Sequence, residues 1–172
     1  AAAANGAIVY HDPVDVTIIH DSGGLLGILD PLVDPLLDVL FEPRNSGPVE
    51  IADSKLNAQL ANANVKIKTD DSSNPVGGTG GQITVNADAR IQWSSGNDLA
   101  LEADKGIDIL GRITATSPGA GLHLTAKNGS ITDGGGTGRI TVPGLYASAS
   151  NGSVQLGGNH DVGTVAGVVA AD

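Results

Sequence analysis

The sequence from residue 99 to residue 154 carries one pattern three times: LALEADKGI from Leu99, LHLTAKNGSI from Leu122 and LYASASNGSV from Leu145. The three leucines stand 23 residues apart, as do Ala103, Ala126 and Ala149, and the glycines Gly106, Gly129 and Gly152. Each copy alternates apolar residues with others, which places every second side chain on one face of a strand. Each also ends at a glycine that suits a tight turn. A fixed period of this size, joining short strands to turns, is the mark of a solenoid.

Two further columns extend the pattern outward. One runs through Leu60, Ile83, Ile107, Ile131 and Val154, the other through Ile67, Ile91, Ala115 and Ile140, with steps of 23 to 25 residues. Val76 and Val168 continue the leucine column by one period on either side. Each period then holds three short strands, for example Ile83/Val85, Ile91/Trp93 and Leu99/Leu101. Corners fall where Gly, Asn, Asp and Ser cluster, as at Gly77–Gly81, Lys127-Asn128-Gly129 and Ser150-Asn151-Gly152. The chain is therefore expected to be all-β: a parallel β-helix of about 23 residues per coil, stacked about 4.8 Å apart. The hand is expected to be right, from the rule for parallel crossovers. An antiparallel sandwich or barrel also spaces short strands evenly, but a meander has no reason to hold three columns in register.

Composition agrees with a narrow core. Aromatic residues make up 2% of the chain and 25 of its 172 residues are Gly, so stacked Ile, Val, Leu and Ala must fill the interior. There is no Cys, which excludes disulfides and thiolate metal sites. A net charge of −10 with nine Lys and Arg disfavours nucleic acid and anionic membrane as partners. No charge-free apolar run is long enough to span a bilayer. The chain opens at Ala1 with no basic or apolar leader, and is expected to be a mature product or an excerpt.

Residues 1–48 lack the period and are expected to be a strand and helix segment preceding a β-helix over residues 49–172. Val14–Ile19 alternates as a strand after Pro13. LLGILDPLVDPLLDVLF (25–41) is the helix candidate, with a turn near 25–33 and a firmer helix from Pro35 to Phe41. Such an apolar piece suits a cap over an open solenoid end or a contact with a neighbouring subunit. Its polar face is acidic, which disfavours a membrane-lying role. At the other terminus, residues 158–172 stay apolar and no polar capping coil follows. An open end predicts either a longer protein or a second molecule stacked there, with Val14, Val16, Ile18, Leu36, Leu40, Val165 and Val168 as the self-association contacts.

Residues 60–157, and QITVNADARIQWSSGNDLALEADKGIDILGRITATSPGAGLHLTA (82–126) above all, resemble the repeats of large secreted bacterial exoproteins of the filamentous haemagglutinin type, the two-partner-secretion adhesins. The segments carrying the likeness are Ile83–Ala87, Ile91–Gly96, Leu99–Ala103, Ile107–Ile109 and Ile113–Thr116. The resemblance implies a right-handed parallel β-helix, export to the medium or cell surface, and a structural or adhesive role without catalysis. It covers neither a secretion domain nor residues 1–48, which favours a segment of a longer exoprotein or a self-assembling subunit. Partners are then other copies of the chain, with host or surface glycans as possible ligands.

Three His-Asp pairs, at His11, His20 and His160, could meet between stacked subunits and bind zinc or a similar ion; exposed turn residues are the plainer reading. Asp70 and Asp71, with Asn74, offer oxygen ligands for weak calcium binding, and no other cofactor is expected. A carbohydrate-binding or polysaccharide-cleaving module is the alternative function. Cleavage needs clustered carboxylates, whereas Asp88, Glu102, Asp104, Asp108 and Asp133 read as outward and scattered. Asp108 should stack between Thr84 and Thr132, and Glu102 beside Thr125, leaving no carboxylate pair and no catalytic residue to name.

Overall fold

The computed structural model describes residues 8–10, 15–21, 49–69 and 80–167. These form a parallel β-solenoid with about 23 residues per turn. Its strands are β1 (Ile8–Tyr10), β2 (Val16–Ile19), β3 (Val49–Ala52), β4 (Val65–Lys68), β5 (Ile83–Val85), β6 (Arg90–Trp93), β7 (Leu99–Ala103), β8 (Ile107–Ile109), β9 (Arg112–Ala115), β10 (Gly121–Ala126), β11 (Ile131–Thr132), β12 (Arg139–Ala149), β13 (Val154–Gln155) and β14 (Asp161–Ala166). One helix, α1 (Asp53–Leu60), lies between β3 and β4.

Three faces emerge from the pairing, which is parallel throughout. The first stacks β1, β4, β7, β10 and the second half of β12, so that Val65, Leu99, Leu122 and Leu145 lie in one column. The second stacks β3, β2, β5, β8, β11 and β13, with Ile83, Ile107, Ile131 and Val154 in register. The third stacks β6, β9 and the first half of β12, aligning Ile91, Ile113 and Ile140. β12 turns the corner at Pro143-Gly144 without a break, and β14 follows it round. The inward residues of all three faces form one continuous buried core.

The leucine period and the register around Asp108 and Glu102 are as the sequence predicts, but assignments in all three columns change, and Ile67 leaves the third column to lie beneath Leu101 on the first face. Val65 rather than Val76 lies beneath Leu99, and Val165 rather than Val168 lies over Leu145. Val16, not Leu60, occupies the place below Ile83. On the third face Ile91 pairs with Ile113, while Ala115 pairs with Trp93. The cause is that corner lengths vary and compensate. The corners entering this face hold residues 86–89, 110–111 and 133–138 in successive coils, while those leaving it hold 94–98, 116–120 and almost nothing. The overall period survives although the third face drifts within it.

The amino-terminal strands are coils of the solenoid, not a segment preceding it. β1 pairs with β4, and β2 lies between β3 and β5. Residues 16–19 therefore sit inside a stack whose next member down is residues 49–52, an order that no period reveals. The predicted turn near 25–33, the predicted helix from Pro35 to Phe41 and residues 70–79 lie outside the described residues. Where the third face would begin, α1 stands instead of a strand and buries Leu56 and Leu60 on the end of the core. Leu122, fully buried at the centre of its column, should lose about 2–5 kcal/mol of stability on Leu122→Ala, the usual result of a core cavity. His123→Ala, next to it but outward, should change stability by less than about 0.5 kcal/mol; urea denaturation of both variants checks the pair.

Candidate functional site

His20 and His160, two of the histidines singled out by sequence, find carboxylates, but not their chain neighbours. His20 Nδ1 meets Asp53 Oδ2 at 2.8 Å, while Asp21 accepts from the Ser54 hydroxyl. His160 Nε2 lies 3.0 Å from Asp133 Oδ2. His20 follows β2 and His160 follows β13, four steps or about 19 Å apart along the stack, so one chain cannot bring these histidines together. Among the described residues no group of three or more His, Cys, Asp or Glu is placed to hold a metal ion. His11, Asp70 and Asp71 lie outside the described residues.

Each clasp closes a corner. Asp133 is two residues beyond Ile131, the parity that points inward, and it is 2% exposed, which corrects its reading as an outward carboxylate. Its carboxylate accepts from Gly136 N, Gly158 N and His160. Gly134, Gly135 and Gly136 wrap round it at φ of 65°, 72° and 95°, a region that favours glycine. His160 Nδ1 accepts from the Ile140 amide at 3.0 Å, which assigns the ring proton to Nε2, facing the carboxylate. Asp53 does the equivalent work at the other end, accepting from Arg90 N and from His20.

Burial raises the pKa of both carboxyls, but the hydrogen bonds outweigh it. Asp133 is held below the ordinary range by the Gly136 and Gly158 amides and by His160. Asp53 is held there by Arg90 N, His20 and Asp21 N. A lowered folded pKa adds stability above the unfolded value of about 3.9 and loses it as pH falls through the folded value. Acidification from pH 5 to pH 2 should therefore lower the thermal midpoint of the wild type. In Asp133→Asn the loss should be shallower, from a start already about 1–3 kcal/mol less stable because the corner donors lose their carboxylate.

A second constellation, missed in the sequence reading, lies on the outer side of the first face. There the outward residues of successive coils are Lys66, Ala100, His123 and Tyr146. With Asn64, Asp98, Glu102 and Thr125 they line an open groove of about 380 Å³. Lys66 Nζ is 2.6 Å from Glu102 Oε1, and His123 Nε2 is 3.7 Å from Asp98 Oδ2. The His123 and Tyr146 rings are 5.9 Å apart, tilted by 35°. Asp98 and Glu102 are four residues apart along an extended chain, about 13 Å by strand rise. The signal was present: residues 100, 123 and 146 each follow a column leucine and must stack on the outside.

The self-association residues divide. Val16 and Ile18 are buried in the chain's own core and β2 is paired on both edges, so neither can reach a neighbour without the fold opening; this corrects their assignment. Val165, in the coil above Leu145, is 60% exposed. Val14, Leu36, Leu40 and Val168 lie outside the described residues. A scan against protein-family models finds no match to this chain. Searches of curated proteins and of solved structures find none either.

Proposed function

We propose that the chain is an extracellular structural and adhesive solenoid that forms or extends a surface fibre by stacking coil on coil. The observation that carries this reading is the state of the last described coil. The column Val65, Leu99, Leu122, Leu145 is buried throughout, yet its next member, Val165, is largely open to water. Val154, Leu156 and Val162 beside it are only partly buried against the core. Among the described residues β14 pairs with β12 alone, so its far edge offers a row of backbone donors and acceptors. A further coil laid on this surface would satisfy the edge and complete the burial of these side chains, worth most at Val165, which has the most apolar area left to remove from water. We take that coil to come from a second copy. Its contact includes Val165, with Val168, and it dispenses with Val16 and Ile18. The likeness to exported bacterial repeats supports a place outside the cell.

Electron microscopy and light scattering of the purified chain test the reading. The wild type should give filaments of uniform width whose mass grows with concentration. Val165→Asp, which puts a charge into the stacking surface, should give short monomeric rods with unchanged circular dichroism. A wild type that stays monomeric at every concentration, or filaments that survive the substitution, would overturn the end-to-end model.

A further inference from the structure

We infer that the groove on the first face is a binding site for a short, uncharged oligosaccharide. The inference deepens the adhesive half of the proposed function and does not depend on fibre growth. The depression exists because of one small residue. Along the outward column Lys66, Ala100, His123, Tyr146, the methyl of Ala100 lies between longer side chains one coil away on either side. The coil spacing makes the column about 14 Å long from Lys66 to Tyr146, and the strand rise sets a width of about 13 Å between Asp98 and Glu102. A volume of about 380 Å³ is at the small end for ligand sites, which suits a few sugar rings.

The lining chemistry selects the class. A sugar ring presents an apolar C–H face and a rim of hydroxyls. Tyr146, 40% exposed, offers an aromatic face with a polar tip. It is also held in place before any ligand arrives. His123 lies against it from the coil below, and Gly167, at φ of 71° in the coil above, runs so close to the ring that any side chain there would overlap it. Preorganisation of this kind removes part of the ordering cost of binding. The groove's carboxylates, Asp98 and Glu102, accept hydroxyl hydrogens, while Asn64 and Thr125 can both donate and accept.

Charge argues against the other classes. Lys66 is engaged with Glu102 and His123 leans toward Asp98, so no unopposed cation greets a sulfated or phosphorylated ligand, and the chain carries −10 overall. With Glu102 paired to Lys66, Asp98 is the one carboxylate of the lining left for a basic peptide, too few for a run of cations. An uncharged, hydroxyl-rich ligand with one apolar face meets every group present.

The test titrates maltotriose, cellotriose, mannotriose and the N-acetylglucosamine trimer into the wild type, read by saturation-transfer NMR and calorimetry. At least one should bind. Tyr146→Ala, and Ala100→Arg, which fills the floor from outside the core, should each weaken that binding at least tenfold with thermal melting unchanged, while Tyr146→Phe stays within about threefold of wild type. Wild-type protein that binds none of the four, or binding that Tyr146→Ala and Ala100→Arg leave intact, would overturn the assignment. Repeating the titration on Val165→Asp separates the two proposals: retained affinity in a monomeric rod places the groove apart from fibre growth.

Discussion

In a parallel solenoid the backbone partners of each strand lie in the coils above and below, never in its own coil. Local turns cannot supply them, so each coil is stable only through its neighbours, and the two ends carry the cost. Much of what is individual in this chain answers that constraint. At one end α1 takes the place of a strand on the third face and presents Asp53 and Asn57, four residues apart on one side of the helix. Asp53 accepts from Arg90 N, and Asn57 both donates to Arg90 O and accepts from Gln92 N. Two side chains thus do for the edge of β6 what a neighbouring strand would do. The helix end is covered in turn, since Ser95 and Asn97 both donate to the Leu60 carbonyl.

The opposite end uses the same chemistry more sparingly. β14 begins pairing only at Asp161, which would leave the Ile140 amide without a strand partner, and the His160 ring stands in for it. Asp133 in turn holds that ring and the backbone at Gly158. An ionised carboxylate in a core column is tolerable because it is surrounded by donors, the condition under which buried charge is kept. These clasps read in the sequence as exposed turn pairs because a histidine followed by an aspartate suggests a local contact, whereas the partners came from 33 and 27 residues away.

Corners and surface follow from the same stacking. Gly106, Gly129 and Gly152 recur because successive turns lie almost in contact: a side chain at Gly152 would run into the backbone of Gly129. Asn151 donates to Asn128 across the same step, a ladder of like residues that only an in-register stack creates. On the outer side, register turns residues 23 apart into neighbours, which is how Ala100, His123 and Tyr146 become parts of one groove.

The sequence by itself determined the architecture: strand alternation, the 23-residue period and glycine turns are local rules repeated, and repetition makes them legible from one coil to the next. It also determined which residues of β7, β10 and β12 face inward, because parity within a strand is independent of everything else. The tertiary structure alone decided the rest. That residues 16–19 lie between 49–52 and 83–85 is a long-range pairing with no periodic trace. Residues 53–60 form a helix where a strand was due, because Leu56 and Leu60, with Asp53 and Asn57, serve a helical face against the edge of β6. Asp133, inward by parity, is kept charged there because donors from two coils converge on it. Each of these depends on groups far apart in the chain meeting at the end or corner of a stack, and a local pattern carries no record of such meetings.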